Sequence, residues 1–260
     1  MTSAVPDDQL FDLPTLPERL LSLAGGFTVH NDAFTKDAAG QTGAAELQQH
    51  ASSVHVLADR IFGIRKAVDH TFRRTPAVVD VSLELRQMAF LAYGATDELL
   101  KALVIVKNGK PEAEPHIQLA GTLTALGAPA STDLAERLAA EMHRQRMPRS
   151  GEVLRLSSTD VAALRAVARG KAHVTLMLGR EYITHEGGSA RLSINTVRGL
   201  EDRSFLSRDG VEKESVPQRL RLTTAGIRAL ADAFGQTPPP ASGPRSVSSL
   251  PKSASVKRSR

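Results

Sequence analysis

The chain has 260 residues, of which 41% are hydrophobic but only 4% aromatic, with no Trp and no Cys. That length suits one large domain or two small ones, and a core built from Ala, Leu, Val and Ile favours packed helices. The lack of cysteine excludes disulfides and Cys-based zinc sites and fits a reducing, cytoplasmic setting.

Net charge is +5, and its location matters more than its size. Residues 236–260 contain Arg245, Lys252, Lys257, Arg258 and Arg260 and no acid, so this tail carries the whole excess. Residues 151–235 hold 13 Lys/Arg against 10 Asp/Glu, leaving the first 150 residues correspondingly acidic. A basic bias in the C-terminal half is the sign expected of nucleic-acid binding. No apolar run reaches the roughly 18–20 residues that span a bilayer. The start, MTSAVPDDQLFDLP, lacks the basic opening and apolar stretch of a signal peptide.

Residues 1–43 read as a flexible arm. Pro6, Pro14 and Pro17 punctuate it, and PERLLSLAGG makes one short helix ended by Gly25–Gly26. Residues 44–75 then predict the longest helix. Leu47, Val54, Leu57, Ile61, Ile64 and Val68 follow a heptad seam, with His50 and Thr71 at its remaining positions. Pro76 stops this helix. A second helix follows over about 80–107, capped by Asp80 or Ser82 and ended at Asn108–Gly109. Residues 108–129 read as a loop or short segment, and Ser131-Thr132-Asp133 opens a third helix. The turn-rich residues Pro148 to Gly151 form a candidate domain boundary. The seam has two readings: packing against the 80–107 helix, or a coiled coil with a second copy. The two can coexist in a dimer of helical hairpins.

Beyond Leu156 the pattern changes. Ser158, Thr159 or Asp160 caps a helix that ends at Gly170, and HVTLML alternates as a strand. Gly179-Arg180 turns the chain so that EYITH can return. Ser193 caps another helix, with Ile194, Val197 and Leu200 inward and Asn195, Thr196 and Arg198 outward. A strand, an acidic connector, a second strand and the helix TTAGIRAL complete the order. From Gly235 the Pro/Ser-rich basic tail has no apolar face and predicts disorder.

Two local motifs carry a family resemblance. In TVRGLEDRSFLSRDG, Leu200, Phe205, Leu206 and Arg208 match the end of a recognition helix and the start of a wing. In LTTAGIRAL, Leu222, Thr223, Gly226 and Leu230 match the returning strand and the helix after it. Residues 158–230 thus resemble winged helix-turn-helix domains of the MarR or PadR kind. Ser204 stands where the family usually has Gly, at a turn that often needs positive φ. Residues 173–185 read as a β-hairpin where an orthodox helix-turn-helix has its second helix. The wing tip, Asp209 to Pro217, is acidic, unlike a wing that neutralises phosphates.

The resemblance implies a recognition helix entering the major groove at its N-terminal end. Ser193, Asn195, Thr196 and Arg198 are the candidate base-reading residues, since Asn reads adenine and Arg reads guanine bidentately. Arg191, Arg219 and Arg221 are candidates for phosphate contact. Catalysis finds no support: the eight histidines show no HExxH spacing, and no P-loop, GxGxxG after a strand or GxSxG is present. His173 and His185 could face each other across the hairpin, but exposed strand histidines explain them more simply.

The expected fold class is mainly α (α+β), an N-terminal helical hairpin or bundle followed by a winged-helix domain with a small antiparallel β component. The expected domains are a 1–43 arm, a 44–150 helical dimerisation or partner-binding region, a 151–235 winged helix and a 236–260 tail. The expected function is sequence-specific binding of double-stranded DNA, as a homodimeric transcriptional regulator without cofactor, metal, membrane or inferable small-molecule effector. The alternative is a non-enzymatic assembly protein whose winged helix docks protein.

Overall fold

A computed structural model describes residues 14–38, 42–110, 112–147, 156–185, 192–209 and 216–236. The candidate boundary at 148–151, Arg191, most of the acidic connector and the basic tail lie outside these residues. The chain is mainly helical with one small antiparallel sheet, as its composition implies. In order it forms α1 (Leu16–Ala38), α2 (Ala44–Thr71), α3 (Pro76–Lys107), α4 (Glu114–Ala125), α5 (Gly127–Arg144) and α6 (Ser158–Ala168). The hairpin β1 (Ala172–Met177) and β2 (Arg180–His185) follows, then α7 (Ile194–Asp202), β3 (Leu206–Asp209), β4 (Gln218–Leu222) and α8 (Thr224–Phe234).

The heptad seam of α2 is closed within the chain. Leu47, Val54, Leu57, Ile61, Ile64 and Val68 are all buried; α2 packs chiefly on α3, and also on α1, where Leu57 meets Gly26. Because α3 and α1 already cover these side chains, α2 cannot offer the same seam to a second copy. Pro76 does not merely stop α2: it is the first residue of α3, where its missing N–H costs nothing. Thr75 is the cap, its hydroxyl accepting the Val78 amide at 3.3 Å. The expected loop at 108–129 instead contains α4, which buries Ile117, Ala120 and Thr124. Helix α5 begins at Gly127, so Ser131 and Thr132 lie inside it rather than at its cap. The Thr132 hydroxyl donates to the Ala128 carbonyl at 2.9 Å.

Residues 16–38 are not an arm. Helix α1 runs through Gly25 and Gly26 and buries Leu20, Leu21, Leu23, Ala24 and Phe27. It packs on α2, α4 and α5 and also on α6 and α8, so it belongs to both halves of the molecule. The Gly26 that resembles a terminator permits a close approach: a Cβ there would lie 2.8 Å from Leu57 Cδ2 on α2.

The C-terminal elements match local turn chemistry closely. Ser157 and Asp160 form a reciprocal capping box at the start of α6. Leu178 and Gly179 have φ of 50° and 69°, the mirror-type turn that suits the twist of a two-residue hairpin. Its register sets His173 opposite Thr184 and Ala172 opposite His185, so the two histidines are not a cross-strand pair. The sheet order is β2-β1-β4-β3, all neighbours antiparallel. Ser204 takes the positive φ expected at its turn, 58°. A Cβ on Gly226 would sit 2.0 Å from the Phe205 carbonyl oxygen, so the start of α8 can close on the β3 strand only with glycine there. No described helix is long and apolar enough to cross a membrane.

Toward the end of α1, His30 is 4% exposed, stacked on Phe34 and edge-on to His50. Its Nδ1 has no hydrogen-bond partner among the described residues. Burial, reinforced by the charge of His50, lowers its pKa from 6.5 to about 4. A depressed histidine pKa means that the unfolded chain takes up the proton first. Stability contributed by neutral His30 is therefore complete above pH 6.5 and is lost as pH falls toward 4, by as much as about 3 kcal/mol. Urea denaturation at pH 7, 6 and 5 should show this decline, and His30→Phe should flatten it. An unchanged slope in His30→Phe would exclude His30 as its source.

Candidate nucleic-acid interface

Helix α7 is short and amphipathic. Val197 and Leu200 are fully buried, and the helix packs on α6, β2 and β3. Its opposite face carries Asn195 and Arg198, both exposed. Ser193 is the cap, accepting the Thr196 amide at 3.1 Å while its hydroxyl also meets Thr196 Oγ1 at 2.9 Å. Ser193 and Thr196 are therefore occupied with each other, and Asn195 and Arg198 present the accessible groups. The helical half packs mainly through α1 and α5 on α6 and α8, whereas α7 packs on α6, β2 and β3.

Acidic residues lie on and around α7, and one of them, Glu181, carries no signal in the sequence. Glu181 on β2 receives Arg198 Nε at 3.1 Å and also binds Arg208 on β3. Arg208 meets Glu201 as well, through Nε at 2.6 Å and Nη2 at 2.9 Å. Hydrogen bonds from Arg208 and then Arg198 outweigh burial and hold the Glu181 carboxyl below the usual carboxylate range. Arg203 pairs with Asp160 at 3.1 Å. Arg198 still projects, its side chain 59% exposed, whereas Arg208 is largely enclosed by its two carboxylates. Beside them, exposed Arg180 at the start of β2 makes no ion pair among the described residues.

Arg219 and Arg221 do not face outward as phosphate ligands. Arg219 forks onto Asp32 of α1, with Nε at 3.0 Å from Oδ2, and also donates to the Gly170 carbonyl. Arg221 binds Asp209 with Nε at 2.7 Å and reaches Asp32 at 3.8 Å. Gly170 lies against α1 too: with φ of 70°, it faces Thr28 so closely that a Cβ would be 2.6 Å from Thr28 Oγ1. Three further pairs repeat the pattern. Arg165 and Arg169 of α6 bind Glu136 and Asp133 of α5, and Arg228 of α8 approaches Glu18 of α1. In each case the C-terminal half supplies the cation and the helical half the anion. The charge asymmetry that suggested nucleic acid is largely used to join the two halves.

The chain finds no match among protein-family models, curated proteins or solved structures.

The Arg219–Asp32 pair is partly enclosed, with side chains 18% and 28% exposed. Asp32→Asn and Arg219→Gln should each lower unfolding stability by about 1–2 kcal/mol. The double variant should lose less than the sum, as measured by urea denaturation in a double-mutant cycle. Additive losses would show that the two side chains are not coupled.

Proposed function

We propose that the chain is a cytoplasmic, non-enzymatic, winged-helix-type protein that binds double-stranded DNA, most simply a transcriptional regulator acting as a dimer. The start of α7 enters the major groove, where Asn195 and Arg198 read base edges. Ser193 and Thr196 hold the helix start in shape, and the backbone amides there favour a phosphate. Exposed Arg180, on the strand that α7 packs against, is a phosphate contact, as is Arg191, which precedes the helix in the sequence. Arg219 and Arg221 serve the junction with α1 instead. The observation that carries this reading is the exposed polar face of a capped helix, with β3 and β4 following directly and the helical half packed elsewhere.

The retained pairs change the expected energetics. Arg198 must leave or share Glu181 to reach a base, which weakens its contribution and sharpens the geometric demand on it. A second reading, a protein-docking module, is favoured by a different observation. Met177, Leu178 and Tyr182 are exposed around the β1–β2 turn, apolar groups that would suit a protein surface.

Binding to duplex DNA across a salt series separates the two. For DNA reading, log K should fall steeply with log[salt]. Asn195→Ala with Arg198→Ala should lower specific affinity about tenfold or more, and Glu181→Gln, which releases Arg198, should raise it. A chain ending at Gly235 should keep sequence preference while losing nonspecific affinity. Absence of binding at low salt, or binding abolished by tail removal and untouched by the α7 double variant, would overturn the assignment to α7.

A further inference from the structure

The outer face of α3 carries a second heptad seam, turned away from the core. Leu83, Phe90, Asp97 and Val104 recur every seven residues, and Leu83, Phe90 and Val104 are 57%, 60% and 58% exposed. Interleaved with them, at the alternating spacing of a coiled-coil face, are Val79, Arg86, Tyr93 and Leu100; Arg86 and Leu100 are exposed, and half-buried Tyr93 borders α2, its hydroxyl donating to Asp59 at 2.7 Å. The inward side of α3 is meanwhile filled by α2, with α4 and α5 beside it. Large apolar groups at this spacing on the open side of a long helix are more than scattered surface residues. The stripe from Val79 to Val104 is about 37 Å long at 1.5 Å per residue.

We propose that this face docks a second copy of the same chain, with the two α3 helices antiparallel about a two-fold axis midway between residues 91 and 92. In that register each a position meets a d position, as antiparallel packing requires. Leu83 faces Leu100 of the second copy, and Val79 faces its Val104. Phe90 faces Tyr93 across the axis. The two polar layers, related by the axis, each set Arg86 of one copy against Asp97 of the other. Exposed Asp80 and Lys101 fall at flanking positions of opposite charge.

The charges select both the occupant and its direction. Among the described residues Arg86 makes no salt bridge; its guanidinium lies over the Phe90 ring at 5.5 Å. Among the described residues Asp97 pairs with Lys101 alone, at 2.8 Å, and Lys101 also has Glu98 at 2.7 Å, so Asp97 can turn to a new cation without stranding Lys101. A parallel pair would instead place Arg86 on Arg86 and Asp97 on Asp97, two repulsive layers in place of two attractive ones. The antiparallel register pairs apolar with apolar and cation with anion at every seam position. This contact supplies the dimer that a palindrome reader needs, yet it stands without DNA binding, so each can fail alone.

Sedimentation velocity on the full chain should show a monomer–dimer equilibrium. Phe90→Glu with Leu83→Glu should yield monomer with an unchanged circular dichroism spectrum, since both sites are exposed. Arg86→Asp and Asp97→Arg should each weaken the dimer about tenfold or more, and the two together should restore it. The chain has no native cysteine, so direction can be read by cross-linking. Leu83→Cys with Leu100→Cys should give a covalent dimer that neither single variant forms. A monomer at all concentrations, a dimer indifferent to Phe90→Glu with Leu83→Glu, a double charge reversal no better than its parts, or cross-linking by single variants would each overturn the proposal.

Discussion

Helix α1 is gripped from both halves of the molecule, and the placement of everything else follows from that grip. Leu20, Leu21, Leu23 and Phe27 are almost fully enclosed, each worth roughly 2 kcal/mol of apolar burial before the entropy of ordering is counted. The same helix carries Glu18 and Asp32, which reach Arg228 and Arg219 of the C-terminal unit. An apolar stripe thus fixes α1 among the helices while its polar positions hold α8 and β4. The approach is tight enough that Gly26 and Gly170 admit no larger side chain without displacing Leu57 or Thr28.

This junction explains why the local charge balance is a poor guide to function. Arg165, Arg169, Arg219 and Arg228 are cations of the C-terminal half whose acids lie on α1 and α5. Near α7, Glu181, Glu201 and Asp160 accept Arg198, Arg208 and Arg203. What remains outward on α7 is small and polar, with one arginine that can be released from a shared carboxylate. The proposed DNA reading by such a face would depend on a few well-placed hydrogen bonds more than on bulk positive potential, and the proposed dimer would present two copies of it.

The sequence was most legible where structure is set by neighbours in the chain. The α2 seam, the Ser193 cap, the positive φ at Ser204 and the glycine of LTTAGIRAL are all local signals, and each names its own geometry. Legibility failed where tertiary contact overrides a local cue. Gly25–Gly26 signals a helix end, but packing against α2 carries the helix through. Pro76 reads as a break and residues 108–129 as a loop or short segment, although the first starts α3 and the second contains α4. Arg219 could not be taken out of the candidate site from sequence, because its acid, Asp32, is 187 residues away. Glu181 was overlooked for a related reason: only the antiparallel hairpin brings it beside α7.

Helix α1 is integral to the fold and joins both halves of the molecule. Hydrogen-exchange mass spectrometry on the full chain tests it directly. Backbone amides of α1 between Leu20 and Phe34 should exchange as slowly as those of α5 and α8, in one cooperative unit. Fast exchange along α1 while α5 and α8 stay protected would contradict the account.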